Sequence, residues 1–171
     1  MNYLIALGVL FFVAVIALSV LAKVLPSRRP ALPYKKRDYL LTAAERSFYE
    51  VLCSITRGQV HAFPKVRLLD LLYLPKGTEN SQGYKNRVMS KHVDFVLCDL
   101  ENIRPLLVVE LDDSSHERED RKERDAFVDE ALAAAGLPIL HVKARQSYDP
   151  KELARQIEER LQAGTHAAGC L

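Results

Sequence analysis

The sequence predicts an α/β sandwich with a mixed sheet flanked by helices, preceded by one N-terminal transmembrane helix. Three observations lead there. Residues 3–22 form an unbroken apolar run without charge. Residues 105–111, Pro-Leu-Leu-Val-Val-Glu-Leu, are almost continuously apolar, as expected of a central strand covered on both faces. After residues 3–22 and the basic stretch that follows, helical and strand patterns interleave in the order helix, strand or strands, strand, strand, helix, strand, helix.

Composition sets the bounds. The chain has 171 residues, room for one domain plus small extras. The net charge of +2 names no partner, but the local pattern is informative. Lys23, Arg28, Arg29, Lys35, Lys36 and Arg37 come after the apolar run with no acid among them. The three cysteines, Cys53, Cys98 and Cys170, are odd in number and lack metal-ligand spacing, which argues against a disulfide framework or a zinc site. Free thiols suit a reducing compartment.

At about 1.5 Å per residue, residues 3–22 extend roughly 30 Å as a helix, the hydrocarbon thickness of a bilayer. A cleaved signal peptide fits less well, because no Lys or Arg precedes the run and its length exceeds an ordinary signal core. A buried core helix is the other alternative. With all nearby positive charge after the helix, the positive-inside rule places the C-terminal domain in the cytoplasm, giving a single-pass inner-membrane protein. Pro26, Pro30 and Pro33 make residues 24–40 an extended basic linker, its cations near anionic head groups. The resulting division is 1–23 membrane helix, 24–40 linker, 41–162 domain and 163–171 flexible tail.

The domain opens on Thr42-Ala-Ala-Glu45, a capping box in which hydroxyl and carboxylate each satisfy a free backbone N–H. Leu41, Phe48, Val51, Leu52 and Ile55 recur at helical spacing, and Gly58 ends the helix. Residues 59–64 alternate and stop at Pro64, reading as a strand. Residues 66–72 suit a strand or a short helix. Residues 75–85, with Gly77, Asn80, Ser81 and Gly83, read as a mobile loop. Strands come next at 92–98 and 105–111, joined by a turn at 99–104. After a polar loop at 112–119, residues 121–135 form a helix burying Phe127, Val128, Ala131, Leu132 and Ala135, and Gly136 caps it. Residues 138–142 are a further strand. Asp149-Pro150 begins the last helix, with Leu153, Ile157 and Leu161 on one face.

Acids in apolar strands are the candidate chemistry. Asp94 interrupts Val, Phe, Val and Leu, and Glu110 ends the most apolar strand. An unpartnered buried carboxylate costs several kcal/mol, on the order seen for isolated buried charges, so each needs a cation, a hydrogen-bond cluster or a metal. Two acids on neighbouring strands repel, and a divalent ion such as Mg²⁺ resolves the repulsion. Period-2 alternation puts Asp112 on the face of Glu110. His116 lies just beyond, able to relay a proton near neutral pH. Such a set suits metal-assisted phosphodiester hydrolysis. The plainer reading pairs Asp94 with Lys91, Arg87 or Arg124. It makes Asp112 and Asp113 a solvated strand end, residues 114–116 an ordinary turn and Asp120 a helix cap.

Taken together, His92-Val-Asp-Phe-Val, Val-Val-Glu-Leu-Asp-Asp-Ser-Ser-His116, Asp120, Arg124-Asp125-Ala-Phe-Val and Ala-Gly-Leu-Pro138 resemble a bacterial family of unknown function, DUF 2726, from about residue 41 to 162. That family is similar to the PD-(D/E)XK nuclease-like superfamily, near the very-short-patch-repair endonucleases. The resemblance implies a restriction-endonuclease-like fold, with Asp94 and Glu110 as the paired acids that hold Mg²⁺ and His116 as the histidine after the strand. It also implies Glu45 as an accessory acid. One departure stands out: Asp112 occupies the position of the motif lysine and supplies no positive charge.

Two functions compete. One is a membrane-anchored, metal-dependent hydrolase acting on DNA or RNA, for which Lys65, Arg67, Lys76, Lys85, Arg87 and Lys91 offer a basic patch. The other is an inactive nuclease-fold module binding nucleic acid or a protein at the membrane. A membrane-assembly role ranks last, because residues 3–22 show no strong small-xxx-small pattern.

Overall fold

Apolar character alone sets the first element. The computed structural model describes residues 2–24, 31–112 and 119–168, and the chain divides into two units, residues 1–38 and 39–171. In the first, helix α1 (Asn2–Val24) is long and apolar enough to cross a membrane, with mean hydropathy 3.0 over residues 2–21. Its large side chains, Tyr3 through Leu21, are exposed within the chain.

In the second unit the capping box forms as its sequence dictates. Thr42 precedes α2 (Ala43–Thr56), with the Glu45 N–H donating to Thr42 Oγ1 and the Thr42 N–H to Glu45 Oε2. Phe48 and Leu52 are fully buried, and Leu41, Val51 and Ile55 pack around them. Strand β1 (His61–Arg67) then runs through Pro64 rather than stopping there. The reason is position: the sheet order is β1-β2-β3-β4, and an edge strand tolerates a residue without an N–H. Residues 66–72 divide between the end of β1 and the short helix α3 (Leu68–Leu71).

The expected loop at 75–85 is corrected in its second half, where α4 (Ser81–Val88) is helical. Local composition argues against a helix, but Val88 is buried with Leu68 and Val93, and tertiary packing overrides weak propensity. At Gly83 an added Cβ would lie 2.5 Å from the exposed Asn80 side chain, which would have to turn aside.

Strand β2 (His92–Cys98) pairs antiparallel with β1 and with β3 (Pro105–Asp112). Strand β4 (Ile139–Lys143) lies parallel to β3, which it reaches after α5 (Glu119–Ala134). Helix α6 (Pro150–Ala168) continues past Gln162. Among the described residues the sheet is therefore mixed, as the element order predicts, and has four strands.

Strand β3 is covered on both faces. Leu107, Val109 and Leu111 pack with Phe95, Leu97, α2 and α6, including Leu153 and Ile157. Val108 packs oppositely, with Val96, Leu132 of α5 and Leu137. Burial of each such side chain stabilises the fold by about 1.5–3 kcal/mol. Phe48, Tyr49 and Tyr148 form an aromatic group with Phe95 at its centre, the Phe48 and Tyr49 rings lying 5.4 and 5.9 Å from that of Phe95.

Candidate acid and lysine site

Within β2, residues Val93 to Cys98 are buried with one exception, Asp94. The β2–β3 ladder explains why an acid is stable there. Its regular pairing ends at Phe95↔Val109, and beyond that point side chains take over from backbone. The Leu111 N–H donates to Asp94 Oδ2 at 3.0 Å. The Asp94 N–H in turn serves the Glu110 carboxyl, and the two acid side chains hydrogen-bond each other. The carboxylates thus satisfy main-chain groups that a continued ladder would have paired.

The cation comes from the other neighbour. The β1–β2 register runs Pro64↔Phe95 and Val66↔Val93, so Lys65 stands opposite Asp94. Lys65 has φ 55, the left-handed region, which costs an L-residue about 1–2 kcal/mol. Its Nζ lies 2.8 Å from Asp94 Oδ1 and 2.6 Å from Glu45 Oε1. Glu45 therefore has two tasks: Oε2 accepts the Thr42 N–H in the capping box, and Oε1 accepts from Lys65. The cap that starts α2 also aims the acid at the lysine.

Three acids around one lysine leave excess negative charge, and the proton inventory reflects it. Burial, followed by the charge and hydrogen bond of Asp94, pushes Glu110 up to about 8. Glu110 is thus held mainly in its neutral form near neutral pH. For Glu45, burial opposes ionisation, but the Lys65 and Thr42 hydrogen bonds outweigh it and hold the carboxyl below its usual range. For Lys65, burial likewise opposes the charge, and Asp94 and Glu45 raise its pKa nonetheless.

A second cluster lies one strand over. In the parallel β3–β4 register, Glu110 pairs with His141. Nδ1 of His141 is 3.2 Å from Asp112 Oδ1, and Nε2 is 3.2 Å from Asp129 Oδ1 on α5. Burial disfavours the imidazolium, but the carboxylates on both sides outweigh it and raise the pKa of His141. Because Asp112 and Asp129 meet opposite ring nitrogens, the group is a charge tie between β3, β4 and α5.

Of the residues picked from sequence, Asp94, Glu110 and Glu45 meet around Lys65. Asp112 is engaged with His141. His116 lies outside the described residues, as do Asp113 and the side chains of Asp120 and Arg124. Sequence reasoning missed three participants. Lys65 reads from sequence as part of a basic patch, although a charge directly after Pro64 in an alternating strand is a usable signal. His141 interrupts Ile-Leu-His-Val just as Asp94 interrupts β2, which is a signal of equal strength. Asp129 carries no signal of its own.

Among the described residues, no group of three or more His, Cys, Asp or Glu is arranged to hold a metal ion. The donor set, two carboxyls on neighbouring strands with Glu110 held protonated, is of the oxygen type that a hard divalent cation prefers.

An α/β unit with an acid and lysine cluster where its central strands part, preceded in the sequence by an apolar helix of membrane-spanning length, defines the general class. The chain belongs to the family described as protein of unknown function (DUF2726), whose model matches residues 37–161. No curated protein and no solved structure matches it.

Proposed function

We propose that the soluble unit is a metal-dependent phosphodiester hydrolase of PD-(D/E)XK type, with a restriction-endonuclease-like fold, acting on nucleic acid. In this reading α1 anchors it in the inner membrane and the basic linker holds it on the cytoplasmic side. The observation that carries the reading is the meeting of Asp94, Glu110 and Lys65 at the point where the β2–β3 ladder ends.

Asp94 and Glu110 would hold the Mg²⁺, which, once bound, lowers the pKa of a water and stabilises charge on the phosphate. Lys65 fixes the orientation of Asp94 and brings the positive charge that Asp112 cannot give from β3. Glu45 holds Lys65 from the opposite side. His116 is the further candidate for proton transfer.

A second reading, an inactive binding module, draws on a specific observation. Lys65 already satisfies Asp94 Oδ1 and neutralises part of the site without a metal. A cleavage assay separates the two. Full-length chain in lipid nanodiscs is incubated with labelled DNA and RNA and Mg²⁺ or Mn²⁺, beside a folded Asp94→Asn/Glu110→Gln variant. Cleavage confined to the unaltered chain supports the hydrolase. Absence of cleavage from both, across both nucleic acids and both metals, moves the assignment to the binding module.

A further inference from the structure

Charge in the second unit is unevenly divided. Residues 65–92 hold six Lys or Arg against two acids, whereas residues 93–171 hold ten against seventeen. The positive segment is thus an exception in an otherwise acidic stretch, and the fold places it beside the acid and lysine site. The Leu68 N–H donates to the Lys91 carbonyl at 3.0 Å, Arg67 pairs with His92, and Asp94 comes two residues later in β2. Val88 anchors the end of α4 in the core with Leu68 and Val93.

Lys76 and Lys85 are exposed along this segment. Large apolar groups are exposed with them: Tyr73 at 88%, Met89 at 54% and Tyr84 at 46%. Exposed tyrosines among lysines are the composition that stacks unpaired bases while neutralising a phosphate backbone. A membrane surface or an acidic protein also accepts lysines and tyrosines, but the acid and lysine site that follows this segment in β2 favours a nucleic-acid strand.

We propose that α4 and the segment joining it to α3 are the docking track for a single nucleic-acid strand. Lys76 and Lys85 contact phosphates, and Tyr73 and Tyr84 stack on bases. The proposal deepens the hydrolase reading and rests on it for the identity of the polyanion. A duplex keeps its bases stacked on each other, so only an unpaired strand uses both features.

The test is fluorescence anisotropy with full-length chain in zwitterionic nanodiscs and chelator present, using a labelled oligothymidine strand and a labelled duplex. The expected results are tighter binding of the strand, at least about tenfold weaker binding for Lys76→Glu/Lys85→Glu, and a salt dependence reduced by about two phosphate contacts. Tyr73→Ala/Tyr84→Ala, checked for folding by circular dichroism, should lose about tenfold on the strand and little on the duplex. Unchanged binding in the lysine variant, preference for the duplex, or binding to anionic vesicles alone overturns the proposal. Strand binding without cleavage leaves the track standing and removes the hydrolase. Cleavage and binding both unaffected by Lys76→Glu/Lys85→Glu leave the hydrolase standing and remove the track.

Discussion

Lys65 and Asp94 face each other across the β1–β2 pair, with Nζ 2.8 Å from Oδ1 and the lysine backbone left-handed at φ 55. The strain and the ion pair are one feature: the backbone at Lys65 leaves the ordinary extended region in the strand where its ammonium reaches Asp94 and Glu45. Lysine at this position has a favourable charge and an unfavourable conformation, and substitutions separate the two.

Lys65→Ala removes the positive charge that Asp94 and Glu45 share. Its cost should be about 2–3 kcal/mol, below that of a fully buried pair because the lysine is partly solvated. Lys65→Gly also removes the charge but relieves the left-handed strain, and should be about 1 kcal/mol more stable than Lys65→Ala. Urea denaturation monitored by circular dichroism orders the two variants. An alanine variant at least as stable as the glycine variant contradicts the strain argument.

Glu110 makes stability depend on pH in a defined direction. Unfolded, it ionises near about 4.3, whereas in the fold it stays protonated up to about 8. Between these values the folded chain binds more protons. Its contribution is therefore full below the unfolded value and is lost as pH rises through the folded one. In metal-free buffer, Glu110→Gln should lose less stability between acid and alkaline pH than the unaltered chain. Parallel curves would contradict the assignment.

Thr42 reaches the site through Glu45. Thr42→Ala should cost about 1 kcal/mol from the cap alone. Because Glu45 also binds Lys65, a Thr42→Ala and Lys65→Ala double-mutant cycle should show coupling of about 0.5 kcal/mol or more. Simple additivity would show that the cap and the ion pair act independently.

His141 titrates against Asp112 on β3 and Asp129 on α5. Its folded pKa is raised, so its tie is fully present below about 6.5 and is lost as pH rises through the elevated folded value. Nuclear magnetic resonance of the imidazole should give a midpoint above that of an unperturbed histidine, and Asp129→Asn should lower it. A midpoint that does not respond to Asp129→Asn contradicts the pairing.

Legibility in the sequence tracks the range of the interactions. The capping box at Thr42 and Glu45 is local, and it forms as read. The apolar run of β3 reports its burial on both faces without any knowledge of its neighbours. Alternation places Glu110 and Asp112 on the face of Val108, but it says nothing about their partners. Those partners, Asp94 for Glu110 and His141 for Asp112, lie on other strands, and register decides which group meets which acid. Helix α4 escapes a sequence reading for a related reason. Its residues have little local preference for a helix, and the burial of Val88 against Leu68 and Val93 is not visible in residues 75–85.

The central claim is that Asp94 and Glu110 hold a divalent cation, which displaces the proton on Glu110. Calorimetric titration of Mg²⁺ and Mn²⁺ into full-length chain in nanodiscs, repeated at pH 7 in buffers of different ionisation enthalpy, tests it most directly. The account predicts binding with net proton release, tighter as pH rises toward the Glu110 value, and lost in folded Asp94→Asn/Glu110→Gln. Binding that survives in that variant, or no binding to either protein, contradicts it.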